Sequence, residues 1–309
     1  MRFLIVGAGG IGSYYGARLQ SAGHEVTFLA RGAHLQAMQQ KGLAVHHPDF
    51  HFASPVAAHD EASLKAQTHV SDFDVVLVCL KTQDTTPWLE RMQAWLQGAT
   101  TPLLSLQNGV DNEPEIAAQV GAERTIGGLA VRIGGHIEEP GVVTVNGPAQ
   151  IVMGSWPDKV KGKDWDDFLN QLNETFNNAA IPSRVSDDIA REIWRKLLIN
   201  AGVNPLSALT HLDTRSLCRH PHYGPAVRGL MLEAAEAGKA DGVILSDEDV
   251  TEMFDIIFSF DAIKTSMLVD KEKGRPLELD GICGAVIRRC EAQNISSPMT
   301  RLVYGLLEK

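Results

Sequence analysis

The sequence predicts an α/β protein: a doubly wound parallel sheet in the N-terminal part, then an all-α C-terminal part. Three observations carry this. Strand-like and helix-like segments alternate through the first half. A Gly-rich turn joins the first strand to the first helix. After Ser186 long helical patterns dominate. A chain of 309 residues is long for one core and comfortable for two. The expected domains are 1–185 and 186–309.

The elements follow in order. Phe3 to Val6 are four apolar residues and read as a short buried strand. Gly7, Gly9 and Gly12 come next in G-x-G-x-x-G spacing, and a helix pattern runs from Ile11 to about Ala22. Gly7 allows the tight turn, Gly9 lets a pyrophosphate approach the backbone, and Gly12 lets the helix pack close to the sheet. Between a strand and a helix, this spacing marks a Rossmann-type dinucleotide site. Gly7, Ala8, Gly9, Gly10, Ile11 and Gly12 are its candidate contacts. A Gly-rich strand–helix turn with no ligand is the other reading of the same spacing.

His24 to Ala30 is a second strand. NAD-selective sites end this strand with an acid that holds the ribose 2′-hydroxyl. Here Ala30-Arg31 stands in that place, and Glu25 lies at the opposite end. An Arg fork suits a 2′-phosphate, so the reading favours NADPH over NADH.

A helix is expected from about Ala33 to Gln40. Short strands with His and Pro fill Gly42 to Pro55. Phe73 to Leu80 is a continuous apolar strand, as in a parallel sheet covered on both faces. A helix over Thr86–Leu96, a strand over Pro102–Leu106, the loop Gln107-Asn108-Gly109 and a helix near Glu113–Val120 follow. Thr125 to Ser155 reads as antiparallel strands finishing the sheet. A helix over Trp165–Asn178 and a strand near Pro182–Val185 close the domain. The second half predicts helices over Ile189 to about Val203, Gly224–Ala240, Asp247 to about Asp270, and Leu279–Glu291. Ser246, with Asp249 three residues on, caps one of them.

Composition bounds the function. Apolar content of 44% and charged content of 21% are those of an ordinary globular protein. A net charge of −10 argues against nucleic acid and against an anionic membrane as partner. Cys79, Cys218, Cys283 and Cys290 form no C-x-x-C and no zinc spacing, so no metal is expected and buried free thiols are. No apolar run reaches the roughly eighteen residues that span a bilayer, and the chain opens on a strand, so cytoplasm is the default. Oligomeric state is not encoded in these patterns; a homodimer stays open.

Lys196, Asn200 and Asn204 are spaced i, i+4, i+8 and share one face of an otherwise apolar helix. Burying them costs free energy unless they find partners. A polar stripe facing solvent, with Asn204 capping before Pro205, is the other reading of the same spacing.

With these residues in view, the chain resembles the ketopantoate reductases (2-dehydropantoate 2-reductases) over nearly its whole length. The resemblance rests on Gly7-x-Gly9-x-x-Gly12, Arg31, Lys81, Gln107-Asn108-Gly109, Trp194-x-Lys196 with Asn200 and Asn204-Pro205, Thr265-Ser266-Met267-Leu268, Asp270, Leu277-Glu278-Leu279-Asp280 and Ser297-Pro298. It implies that Lys196 is the catalytic general acid. Asn108, Asn200, Asn204 and Ser266 would line the substrate pocket, and Glu278 would orient the substrate. Lys81 and Asn108 would lie beside the nicotinamide half of NADPH, and Arg31 would hold its 2′-phosphate. Two places depart from the family pattern: Asp213-Thr214, and Cys283-Gly284 where many members carry Asn-Gly. Both are expected near the pocket rim.

The implied reaction is reduction of 2-dehydropantoate to pantoate, a step toward pantothenate and coenzyme A. Hydride delivery to a ketone leaves an alkoxide, which needs a proton and a positive neighbour; a Lys ammonium supplies both. A paralogue reducing another branched 2-oxo acid is the enzyme alternative. A non-catalytic NADPH-sensing protein is the other, though a sensor has no use for a proton donor.

Overall fold

The computed structural model describes residues 1–157, 165–259 and 262–308. The chain forms two compact units. One holds Met1–Gln107 with Asn112–Ile189; the other holds Asn108–Asp111 with Ala190–Lys309.

The first unit contains strands β1 (Arg2–Val6), β2 (Glu25–Leu29), β3 (Leu43–His47), β4 (Phe50–Ser54), β5 (Ala57–His59), β6 (Val75–Val78), β7 (Leu103–Ser105), β8 (Thr125–Val131), β9 (Gly134–Glu139), β10 (Val142–Asn146), β11 (Gln150–Ser155) and β12 (Ser183–Val185). Its helices are α1 (Gly10–Ser21), α2 (Gly32–Lys41), α3 (Glu61–Gln67), α4 (Thr82–Leu96), α5 (Asn112–Val120) and α6 (Asp166–Asn178). Eight strands form the main sheet in the order β12-β11-β8-β7-β6-β1-β2-β5. Among the described residues of this sheet, only the β8–β11 pair is antiparallel. Side chains of β1 alternate between two cores. Phe3 and Ile5 pack with residues of α1 and α6, and Leu4 and Val6 with residues of α4 and α5. Burial on both faces is why these strands read as unbroken apolar runs.

The stretch Thr125–Ser155 only partly finishes the main sheet. β8 and β11 do so, but β9 and β10 join β3 and β4 in a separate four-stranded sheet, ordered β4-β3-β10-β9. The excursion starts and ends at Arg132 and Ala149, both at φ 54°, where the Ala149 N–H donates to the Arg132 carbonyl at 3.3 Å. Left-handed turns at both points steer the chain out of the sheet and back.

The second unit is helical: α7 (Ile189–Thr210), α8 (Thr214–Arg219), α9 (Tyr223–Gly238), α10 (Asp247–Ser259), α11 (Ser266–Glu272), α12 (Ala285–Ala292) and α13 (Pro298–Leu307). A π-helical turn, Asp280–Gly284, leads into α12. Two sequence expectations change. α7 runs through Pro205 to Thr210 instead of ending near Val203. Leu206 and Ala208 beyond the proline are buried, and that packing offsets the lost backbone bond. The single helix expected over Asp247–Asp270 is two helices, because Thr265 restarts the chain as an N-cap, accepting from the Leu268 N–H at 3.2 Å. Residues 260 and 261 in that stretch lie outside the described ones.

α7 is the spine of this unit. Gly202 lets α9 approach: a β-carbon there would stand 2.8 Å from Met231 Cγ. Asp249 of α10 accepts from Arg191 Nη2 at 2.6 Å and from Arg195. Its carboxylate also accepts from the Ser246 N–H at 2.8 Å, the capping pair the sequence predicts. No helix among the described residues is long and apolar enough to cross a membrane.

Candidate active site

The first unit builds a cradle at the end of β1. Gly7 turns the chain at φ 98°, where a β-carbon would stand 2.9 Å from the Cys79 carbonyl oxygen. A β-carbon on Gly12 would sit 2.2 Å from the Gly7 oxygen, so only glycine lets α1 start directly over the turn. Gly9 is different: a β-carbon there meets nothing within 4 Å among the described residues. The Gly7 and Ala8 N–H groups both donate to the Leu29 carbonyl, at 3.3 and 3.2 Å. Ser13 Oγ donates to the Ala8 carbonyl at 3.0 Å and closes the loop. The N–H groups free of the helical ladder are therefore those of the first turn, Gly10, Ile11 and Gly12. No side chain caps this helix and its first turn holds no acid. A bare helix N-terminus beside an open glycine edge suits an anionic group, and these residues fit a dinucleotide pyrophosphate.

Two cations stand at the ends of the flanking strands. β1 lies between β2 and β6, all parallel. Arg31 follows β2 as the N-cap of α2; Lys81 follows β6 as the N-cap of α4. Both side chains are exposed. The sheet thus gathers Arg31, the glycine loop and Lys81 beyond the C-terminal ends of three neighbouring parallel strands. It adds a residue that sequence reading missed. Asp84, in the first turn of α4, accepts from Arg31 Nη2 at 3.3 Å. The two are 53 residues apart, and no local pattern joins them.

The second unit carries the other candidates. Lys196, Asn200 and Asn204 lie on successive turns of α7. Lys196 and Asn200 are half-buried, and Asn204 is 4% exposed. The Nδ2 atoms of Asn200 and Asn204 are buried with no hydrogen-bond partner among the described residues. A solvent-facing stripe does not look like this. Two inward-facing amides one turn apart, each with an unused donor, are costly to the fold and available to a polar ligand.

Neighbouring elements dock on this helix. Lys271 Nζ of α11 donates to the Ala208 carbonyl at 2.7 Å, which brings the helix headed by the exposed Ser266 to the last turns of α7. Arg289 of α12 lies with its guanidinium carbon 5.4 Å from the Trp194 ring centroid, two residues before Lys196. The same guanidinium donates to Asp111 Oδ1 at 2.7 Å and to the Val110 carbonyl at 3.4 Å, and Arg288 donates to Asp111 Oδ2 at 2.8 Å. Residues 108–111, including the half-buried Asn108, therefore stand with the N-terminal half of α7. Glu278, 8% exposed, lies in the segment between α11 and the π-helical turn. Sequence reading missed Asp111, Arg288 and Arg289; each looks like an ordinary surface charge until the pairing is seen.

The family model described as ketopantoate reductase PanE/ApbA matches residues 3–158, and the one described as its C terminal matches residues 188–309. The chain belongs to the ketopantoate reductase family. It is 32% identical to the 2-dehydropantoate 2-reductase of Mesorhizobium japonicum, covering 100% of this chain and 97% of that one. It is also similar to the crystal structure of 2-dehydropantoate 2-reductase from Geobacter metallireducens, at 32% identity, TM-score 0.87, and coverage of 100% and 99%. A ternary structure of D-mandelate dehydrogenase with NADH and anilino(oxo)acetate shares the fold at TM-score 0.88 and 22% identity, covering 100% of this chain and 97% of that one. The chain is thus an oxidoreductase of the 2-dehydropantoate 2-reductase family, with the Rossmann-type N-terminal sheet and helical C-terminal part its sequence predicts.

At the two departures from the ketopantoate reductase family pattern, the residues have local structural partners or are buried. Asp213 is the N-cap of α8, accepting from the Ser216 N–H at 2.9 Å, and this bond holds its carboxyl below the usual range. Thr214 is buried, and its N–H donates to the Ile263 carbonyl at 3.0 Å. Cys283 is 0% exposed within the π-helical turn, and burial pushes its thiol up to about 12, so it stays protonated and unreactive at neutral pH.

Proposed function

We propose that this chain is an NADPH-dependent 2-dehydropantoate 2-reductase that forms pantoate for pantothenate and coenzyme A synthesis. The observation that carries the reading is the polar face of α7: Lys196 beside two buried amides whose Nδ2 donors lack partners among the described residues.

A nicotinamide dinucleotide, when bound, supplies the hydride for the ketone carbon. The residues of the chain do the rest. Gly10, Ile11 and Gly12 donate backbone N–H groups to the pyrophosphate, and Arg31 pairs with the 2′-phosphate. Lys81 and Asn108 border the nicotinamide half. Asn200 and Asn204 donate to the substrate carboxylate with Ser266. Glu278 accepts a hydrogen bond from the substrate hydroxyl and so fixes which face of the ketone is presented. Lys196 donates its proton to the carbonyl oxygen as charge develops there, and the ketone leaves as the alcohol.

The test is a substrate screen with purified protein, following NADPH oxidation with 2-dehydropantoate and a series of branched 2-oxo acids. The reading expects the highest kcat/KM on 2-dehydropantoate and growth rescue of a pantoate auxotroph. Preference for another 2-oxo acid, with no rescue, moves the chain to a paralogous reductase. NADPH binding with no turnover on any 2-oxo acid makes it a sensor.

A further inference from the structure

We infer that Asp84 sets how strongly this chain discriminates between 2′-phosphorylated and unphosphorylated dinucleotides. The inference rests on the reading of Arg31 as the 2′-phosphate residue.

The placement is specific. Arg31 follows β2, and Asp84 lies in the first turn of α4, the helix that follows β6; β2 and β6 are the two strands that flank β1. Their ion pair, Nη2 to Oδ2 at 3.3 Å, reaches across the end of β1, where the glycine loop departs. Asp84 is held in the first turn of α4 by its N–H, which donates to the Lys81 carbonyl at 2.8 Å. The first turns of α1 and α2 hold no acid, whereas that of α4 does. The Arg31 side chain is 86% exposed and that of Asp84 35%, so both are accessible to a ligand.

Two consequences follow from charge alone. A phosphate held by the Arg31 guanidinium must displace Asp84 or accept it a few ångströms away, and two anions sharing one cation repel each other. The carboxylate therefore weakens binding of the 2′-phosphate. The same carboxylate can accept a hydrogen bond from a ribose 2′-hydroxyl. NAD sites usually take that acid from the end of the second strand; here it comes from α4. Asp84 thus narrows the preference from both sides and leaves room for NADH as a second cofactor.

The probes are NADPH, NADH, 2′,5′-ADP and 5′-AMP, titrated onto the intact protein by calorimetry without substrate. Asp84→Asn should tighten NADPH and 2′,5′-ADP by about three- to tenfold and leave NADH and 5′-AMP unchanged or weaker. Asp84→Ser serves as a second variant, with its melting temperature as the folding control. In an Arg31→Ala background, Asp84→Asn should have a smaller effect on the NADPH-to-NADH affinity ratio, because the competition for the shared cation is gone and only the direct repulsion between the two anions remains. If Arg31→Ala lowers the NADPH-to-NADH affinity ratio but both Asp84 variants leave it within twofold of wild type, Asp84 is a bystander and the inference is overturned while the Arg31 reading stands. If Arg31→Ala leaves that ratio intact, the Arg31 assignment itself is overturned, and this inference with it.

Discussion

Gly10 and Gly135 meet backbone to backbone: a β-carbon on Gly10 would stand 2.2 Å from the Gly135 carbonyl carbon. The start of α1 is thereby pressed onto β9 of the four-stranded sheet. Gly9, one residue earlier, has nothing within 4 Å of its β-carbon position among the described residues and a φ of −75° that alanine adopts freely. Neighbouring glycines thus answer to different demands. Gly10→Ala should cost about 1–3 kcal/mol through overpacking and lower the melting temperature by several degrees. Gly9→Ala should melt at or slightly above the wild-type temperature yet bind the dinucleotide at least about tenfold more weakly, because its methyl group fills the approach to the pyrophosphate. Thermal unfolding and cofactor titration of the two variants check this; the reverse ranking would refute it.

Asn204 should trade stability for function. Its buried Nδ2 has no partner among the described residues, so Asn204→Ala removes an unsatisfied donor along with a few contacts. The expected change in stability is within about 1 kcal/mol of zero, well below the usual cost of a buried truncation. The KM for the 2-oxo acid should rise about tenfold or more. A large drop in melting temperature with unchanged KM would make Asn204 a purely structural residue.

Lys196 and Glu278 should separate kinetically. Loss of a positioned general acid costs about 10²–10⁴-fold in kcat, and Lys196→Ala should show this with cofactor affinity nearly intact. The wild-type rate of reduction should fall at high pH as the ammonium is lost, and that limb should vanish in the variant. Glu278→Ala should raise KM strongly, with a smaller or comparable effect on kcat. Near-normal turnover by Lys196→Ala would refute the proposed role as proton donor.

Asp249 makes the helical unit acid-sensitive. Burial alone would raise its carboxyl, but the Ser246 N–H bond and the Arg191 and Arg195 guanidiniums outweigh it and hold the carboxyl below its ordinary value. A depressed folded value means stability that is present above the unfolded pKa of about 3.9 and lost as pH falls through the folded one. Arg191 is partly exposed and screened, so Asp249→Asn should cost about 1–2 kcal/mol at pH 7, or roughly 2–8 °C in melting temperature. The wild-type and variant melting curves should converge as the pH falls from the unfolded value through the lower folded one. A constant gap across the acid range would show that the pair carries no linked proton.

The sequence by itself determined the first strand, the glycine loop and the first helix, because each is written within a few residues. Phe3 to Val6 are apolar on both faces, Gly7 and Gly12 fall where the turn and the close packing require them, and the helix follows at once. It also determined the α7 face, since i, i+4 spacing on a helix is a matter of geometry alone. It did not tell a solvent-facing stripe from an inward one, because that depends on which helices pack around α7. Tertiary structure decided this, and left the Asn200 and Asn204 donors buried and unused. It also decided that β9 and β10 join β3 and β4, that Asp84 faces Arg31 across the end of β1, and that Asp111 is held by Arg288 and Arg289. These relationships link residues 53 or more positions apart. A charge on an exposed loop or first helical turn has no local pattern that names its partner; strand order and helix docking choose it.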